Sequence, residues 1–227
     1  MAAPTAPVGA LPRASGTLVM TLLGVGAMAS PRYAPAGLLV VCGGDRIALD
    51  GGPGAEPAGR LDAWLVTDDR SELRAALRRL AAGRGLEPVV GPWRSAVVRI
   101  EPHPVVHTSH PTVGYLVESV AGRVAWAPEF WTFPAWAAGV DLMFAEAAGW
   151  DRPIRFAGGV GGHAPVSQVA ADAQRAGVRR LVLAHVGRPT IRAVDAGARP
   201  PYGELGEEGR RYVVRRPTKE ARSWSRS

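Results

Sequence analysis

Eight side chains able to hold a metal ion or move a proton stand where the chain changes direction: Asp50, Asp68, Glu72, His107, His110, Glu129, His163 and His185. Strand ends on one rim of a sheet converge in space, and a cluster of imidazoles and carboxylates is what a Zn²⁺, Mn²⁺ or Fe site requires. No two of them form a short H-x-H or H-E-x-x-H unit, so any site is assembled from distant parts of the chain. His103 lies between two prolines and is left out. His185 closes the apolar run Leu181-Val182-Leu183-Ala184, as a buried strand does when it delivers a ligand to the rim of a sheet. The plainer alternative is a core strand with an idle histidine at its end. Other chemistries lack their parts. Ser109 and the other serines have no G-x-S-x-G elbow, Cys42 is the single cysteine, and neither a P-loop nor a strand-linked G-x-G-x-x-G is present.

The elements that must position these residues can be read from periodicity and turn chemistry. Residues 17–24 form a first strand. Residues 37–42 and 46–50 make a hairpin around Gly43-Gly44-Asp45, a turn that tolerates positive φ. Residues 61–67 read as another buried strand. Ser71-Glu72 then opens a helix in which Leu73, Ala76, Leu77 and Leu80 keep the 3.6-residue period, with Ser71 as N-cap and Gly83 and Gly85 as the stop. A polar loop carries His107 and His110. Strands at 111–118 and 123–127 pair across Ala121-Gly122, the second ending at Pro128-Glu129. A strand at 140–146, a glycine loop at 158–162, a helix at 165–176 and the His185 strand complete the order. Strands in two batches, each joined to helices, fit a layered α/β/β/α sandwich, and a single-sheet α/β fold stays open on pattern alone.

Composition sets the class. With 227 residues, 47% hydrophobic and 21% charged, the chain suits one folded domain with a large core. The net charge of +7 would ordinarily point to an anionic partner. Lys219 is the only lysine, so the charge reflects a general bias to arginine, and part of it sits in residues 210–226. Arg74, Arg78, Arg79 and Arg84 on the first helix have no interleaved aromatics, which favours a solvated face over an RNA surface. Residues 1–16 and 215–227 read as tails around a domain at 17–214. Arg13, the apolar residues 17–26 and Ala27-Met28-Ala29 imitate a secretory signal, but two glycines and two threonines interrupt the run, and it leads straight into the hairpin. A cytoplasmic protein is expected, with no membrane partner. The aromatic run Phe130-Trp131-Thr132-Phe133-Pro134-Ala135-Trp136 reads as core, or else as a substrate-side wall.

The segments Thr21-Leu22-Leu23-Gly24-Val25-Gly26, Ile47-Ala48-Leu49-Asp50-Gly51-Gly52, His107-Thr108-Ser109-His110-Pro111-Thr112-Val113-Gly114-Tyr115, Val124-Ala125-Trp126-Ala127-Pro128-Glu129 and Leu181-Val182-Leu183-Ala184-His185 resemble the metallo-β-lactamase superfamily. The nearest branch is that of tRNA 3′-processing ribonucleases and cyclic phosphodiesterases, over about residues 17–214. The resemblance implies a four-layer αββα sandwich, two metal ions and hydrolysis of phosphodiesters or other esters. It places His185 on the final histidine ligand, Glu129 on the bridging aspartate, His107 or His110 near a mid-chain ligand, and His163 on a proton donor to the leaving group. Asp50 and Asp68 are supporting residues.

The sequence departs from the family where the signature H-x-H-x-D-H should follow Thr67, since Asp68-Asp69-Arg70-Ser71-Glu72-Leu73 stands there. Arginine stays protonated and leucine offers no lone pair, so the usual two-ion site cannot form. Two outcomes stay open. In one, a single Zn or Mn ion is held by His185, Glu129 and Glu72, with Arg70 supplying fixed positive charge to a phosphate or oxyanion. In the other, no ion binds, and a pseudoenzyme takes a small anionic ligand or a protein partner through the same rim. The expected partner is a small-molecule or phosphodiester substrate, with RNA less supported and a homodimer compatible.

Overall fold

The computed structural model describes residues 16–215, so the tails expected at 1–16 and 215–227 lie outside it apart from Gly16 and Arg215. Strands β1 (Thr17–Gly24), β2 (Gly37–Cys42), β3 (Asp45–Asp50) and β4 (Ala63–Leu65) lead into helix α1 (Arg74–Ala82). Strands β5 (Trp93–Arg94), β6 (Arg99–Val105), β7 (Thr112–Ser119), β8 (Gly122–Ala127) and β9 (Leu142–Ala147) follow. A small pair, β10 (Ile154–Arg155) and β11 (Gly162–His163), precedes α2 (Val166–Arg175) and β12 (Leu181–Val186). Helix α3 (Arg188–Asp195), β13 (Glu204–Leu205) and β14 (Arg211–Arg215) complete the order.

Two large sheets result. One has the order β14-β1-β2-β3-β4 and the other β13-β12-β9-β8-β7-β6-β5. In β1 the side chains alternate, with Leu18, Met20 and Leu22 fully buried, as period-two geometry requires of a strand covered on one face. They pack in one core with Tyr115, Trp126 and Phe144 from the second sheet. Every residue of β9 and β12 is buried, because their far face is covered by α2 through Val166, Val169, Ala170 and Ala173. On the outer face of the first sheet, Leu77 and Ala81 of α1 pack with Leu39, Ala48 and Trp64. The layers are therefore α, β, β, α, as the pattern predicts, and the single-sheet alternative falls. The signal-like run is β1, a central core strand. Among the described residues no helix is long and apolar enough to cross a membrane.

Several local expectations change. The strand expected at 61–67 pairs only over Ala63–Leu65, because Thr67 turns out of the ladder: its N–H donates to the Asp50 carboxylate and its carbonyl accepts from Val113 N–H. Helix α1 starts at Arg74 with Leu73 at the N-cap. Ser71 contributes its carbonyl to Arg74 N–H, and no side chain caps this end. The β7–β8 turn sits at residues 120–121, one position earlier than expected, with Gly122 already in the strand. Helix α3 was not anticipated, since its arginines and Pro189 hide a short apolar stripe. Pro102 and Pro104 lie in β6 beyond Arg99 and Ile100, where β5 ends, so this part of β6 is an edge that pairs only with β7.

Candidate metal centre and cleft

The ends of β3, β8, β9 and β12 and the start of α2 meet at one rim. Asp50 and His185 hold left-handed backbone there, with φ of 50° and 77°. Neither is glycine, and such conformations cost of order 1–3 kcal/mol unless their surroundings enforce them. At His185 the enforcement is a register shift in the β12–β9 ladder between Leu183 and Val186. It lifts the imidazole out of the strand's alternation and points it across the rim.

From this placement a chain of alternating imidazoles and carboxylates is built. His107 Nε2 lies 3.1 Å from Glu129 Oε2, and Glu129 Oε1 lies 2.6 Å from His185 Nε2. His185 Nδ1 is 3.3 Å from Glu146 Oε1, and Glu146 Oε2 is 2.7 Å from His163 Nδ1. At the near end His107 Nδ1 is 3.0 Å from the carbonyl of Gly162. Glu146 is completely buried and also accepts from the backbone N–H groups of Phe130 and Ala148, at 3.2 and 2.8 Å. The rings touch as well: His163 stacks on His185 with centroids 5.2 Å apart, and His107 tilts against His163 at 4.8 Å.

Gly162 is what lets the two ends of this chain close. Its φ is 151°, and a Cβ there would stand 2.0 Å from the carbonyl oxygen of Ile154. The bare backbone instead pairs with His107 on both sides, donating its N–H to the His107 carbonyl at 2.9 Å and accepting from the ring. Gly114 plays a similar part behind the site, where a Cβ would run into the Trp136 ring at 2.8 Å.

The electrostatics follow from burial and pairing. Burial works against a charged His185, but the Glu129 carboxylate, and then Glu146, outweigh it and lift the ring to about 10. His107 is likewise raised: burial lowers it, and the hydrogen bond and charge of Glu129 more than offset this. Burial favours the neutral acid at Glu129 and at Glu146, yet the adjacent imidazoles hold Glu129 well below the usual carboxylate range and Glu146 at about 2. Asp50 goes the other way. Burial pushes it up to about 6 against the hydrogen bonds it receives from Trp126 Nε1 and from Thr67.

The sequence-derived residues therefore divide. His107, Glu129, His163 and His185 come together. Of the two mid-chain histidines, His107 reaches Glu129, while His110 Nε2 pairs with Asp68 at 2.8 Å. Asp68 is occupied on its other oxygen by the N–H of Arg70 at 2.7 Å. Arg70 and Glu72 are exposed, and neither side chain makes a hydrogen bond or ion pair among the described residues. The aromatic run is packing, not a wall: Phe130 is fully buried, Phe133 packs edge-on against it, and Trp136 stacks on His103. The aromatic ring facing the cleft is Phe156, which contacts His107 and His163 at 5.3 Å each. Glu146 was missed. It reads in sequence as the end of a strand, and the signal was present, since a carboxylate closing the wholly apolar run Leu142-Met143-Phe144-Ala145 must find partners once buried.

Above the chain lies an open cleft of about 700 Å³, lined among others by Arg70, Glu72, His163, Arg188 and Phe156. Beside it a void of about 60 Å³ reaches Asp50, Glu129 and His185, and its wall towards the first sheet carries Met28, Pro35, Leu73 and Leu77. These side chains decide what ion the rim suits. The two-ion centre does not fit, because Leu73 faces the void and Arg70 and Glu72 lie out at the surface. One trio does bring donor atoms within 4.8 Å of one another, namely Glu146, His163 and His185. Two imidazoles and a carboxylate are an acceptable set for one divalent ion. Those same donors, however, face one another in hydrogen bonds.

No family model matches the chain, and no curated protein matches it by sequence. Solved structures do match. The metallo-β-lactamase fold protein YhfI from Bacillus subtilis superposes with a TM-score of 0.67 at 15% identity, over 87% of this chain and 99% of that one. A diphosphatase from the PhnP family gives 0.65 at 15% identity, over 87% and 97%. The short form of human tRNase Z gives 0.61 at 16% identity, over 88% and 100%. At such identities the likeness establishes the fold.

Proposed function

We propose that this metallo-β-lactamase-fold chain is a hydrolase of small anionic esters or phosphodiesters, working with at most one metal ion. The observation that carries the proposal is His163. Its Nδ1 is pinned 2.7 Å from a fully buried carboxylate, its ring lines the open cleft, and its Nε2 has no partner among the described residues. A carboxylate that fixes tautomer and orientation, with the second nitrogen left to the cleft, is how a general acid–base histidine is held. Support for the phosphate-ester class comes from the fold's company, which includes a diphosphatase and a tRNase Z.

In this reading Glu146 keeps the Nδ1 proton of His163 in place, so that Nε2 is the atom that accepts or returns a proton. During hydrolysis the water oxygen forms the new bond to phosphorus or acyl carbon as the bond to the leaving oxygen breaks. The water's proton passes to His163 Nε2 and then to the leaving oxygen. The exposed guanidinium groups of Arg70 and Arg188 at the cleft offer fixed positive charge to the substrate anion. Phe156 and Ile154 supply an apolar flank. No step is routed through a metal ion, because the donors at the rim are already hydrogen-bonded together.

A second reading has its own observation. The closure of Glu129 onto both His107 and His185 engages the carboxylate that would otherwise draw a proton from a water, which favours a non-catalytic pocket for a small anion. RNA gains little, because two of the arginines expected on the first helix are engaged locally: Arg84, which lies just past α1, donates to the Gly59 and Pro57 carbonyls, and Arg78 of α1 faces Glu87 at 3.9 Å. Hydrolysis of bis(p-nitrophenyl) phosphate and of p-nitrophenyl esters, with and without added Zn²⁺ or Mn²⁺, separates the two. His163→Asn keeps a donor for Glu146 while removing the nitrogen that faces the cleft. It is expected to lower kcat by about 10²-fold or more. Turnover unchanged in that variant would place the chemistry elsewhere, and binding of an anion without turnover would select the second reading.

A further inference from the structure

The lone pairs that a cation would need along this chain already face N–H groups. Glu146 has two oxygens with about four acceptor positions between them. Ala148 N–H and His185 Nδ1 take Oε1, at 2.8 and 3.3 Å, while Phe130 N–H and His163 Nδ1 take Oε2, at 3.2 and 2.7 Å. The carboxylate is filled. His185 has a carboxylate at each nitrogen, Glu146 at Nδ1 and Glu129 at Nε2. His107 has the Gly162 carbonyl at Nδ1 and Glu129 at Nε2. Carbonyl and ionised carboxylate oxygens only accept, so each of these four nitrogens must carry a hydrogen for the contact to be a bond. Two doubly protonated imidazoles against two carboxylates leave no net charge for a cation to balance.

Length matters as much as charge. Glu129 stands where the resemblance expects an aspartate, and its extra methylene lets one carboxylate touch both rings, at 2.6 and 3.1 Å. The 2.6 Å contact to His185 is a direct hydrogen bond, well inside the roughly 3.3 Å that separates two ligands of a tetrahedral ion held at about 2 Å, so an ion taking both atoms would have to prise them apart. The neighbouring void offers little instead. Its Asp50 carboxylate accepts from Trp126 and twice from Thr67, and its far wall is apolar.

We infer that the His107–Glu129–His185–Glu146–His163 chain is an ion-free centre, in which Glu129 bridges two imidazole N–H groups and so does the structural work that metal ions would otherwise do. The inference goes beyond the proposed activity, since exclusion of the ion holds whether or not the cleft turns over a substrate.

The test uses the wild-type full chain, purified without chelators and equilibrated with Zn²⁺ or Mn²⁺ alone. Elemental analysis should find less than about 0.1 equivalent bound, and EDTA should leave the melting temperature unchanged. Uptake above that level, or a melting temperature that falls with EDTA, overturns the inference. Nitrogen-15 correlation spectra of the histidine rings supply the second measurement. Both nitrogens of His185 and of His107 should carry hydrogen, and a bare Nε2 on either ring overturns it equally. Metal-dependent hydrolysis would refute the ion-free centre and leave the hydrolase standing. Absence of hydrolysis in a protein that also takes up no metal would refute the hydrolase and leave the centre standing.

Discussion

The end of the seven-stranded sheet and the loop before α1 meet at one rim and treat their polar side chains in opposite ways. On the seven-stranded side Glu146 is 0% exposed with four donors on it, and His185 is 5% exposed between two carboxylates. On the five-stranded side, in the loop before α1, Asp69, Arg70 and Glu72 are exposed, and only Asp68 is held, by His110 and a backbone N–H. Buried charges are expensive unless every partner is present, so the first region can exist only as a complete set. The loop pays no such penalty and can vary freely. A rim that is fixed on one side and open on the other suits a site whose polar chain is preorganised and whose ligand contacts are adjustable.

The contrast can be broken most forcefully at Glu146. Glu146→Ala strands two backbone N–H groups and two imidazoles in the core. It should cost about 3–5 kcal/mol in denaturant unfolding, enough to deplete folded protein. A cost below about 1 kcal/mol would mean the buried half is no more demanding than the loop.

Next in size is pH. His185 is raised from 6.5 to about 10, so the stability it contributes is complete below about pH 6.5 and is lost as pH climbs towards 10. Glu146 is lowered from 4.5 to about 2, so its contribution is complete above about pH 4.5 and is lost as pH falls towards 2. The advantage of the wild type over Glu146→Gln should therefore be flat between these bounds and shrink on both sides. A gap in melting temperature that is constant from pH 4 to pH 9 or so would dissolve the pairing.

Gly162→Ala tests how closely the chain must fit. It forces a Cβ against the Ile154 carbonyl at an unfavourable φ and should cost about 2–3 kcal/mol. Loss of the His107 ring contact should show in that ring's NMR shifts. The smallest effects belong to the loop: Arg70→Ala and Glu72→Ala should leave stability within about 0.5 kcal/mol of wild type. Arg70→Ala should nevertheless raise KM for an anionic ester, by about tenfold, with kcat nearly unchanged. A large stability loss at either residue would show that the loop is tied into the rim.

Much of this frame was legible in advance. The alternation in residues 17–24, the Gly43-Gly44 hairpin, the unbroken apolar run before His185 and the helix stripe before Gly177 each follow from local geometry. The layered sandwich fitted them, and the family resemblance, not the pattern, chose it over a single sheet. The absence of an H-x-H-x-D-H unit from residues 68–73 was equally plain, because it is a statement about residue types. Within the site, sequence brought His107 and His110 forward as equals and passed over Glu146. Choosing between the two histidines depends on where the Gly161-Gly162 backbone passes, which has no local signature beyond the glycines themselves.

What the sequence determined by itself was a set of strands, their two batches and the side chains delivered to their ends. Hydrophobic periodicity and turn preferences act over a few residues, so they can be read along the chain. Tertiary structure alone decided the pairings: Glu146 with His163, 17 residues on, and with His185, 39 residues on, and His107 with Gly162, 55 residues on. Those bonds are worth making only where both partners are removed from water, and that condition is set by the packing of the two sheets, not by any one segment.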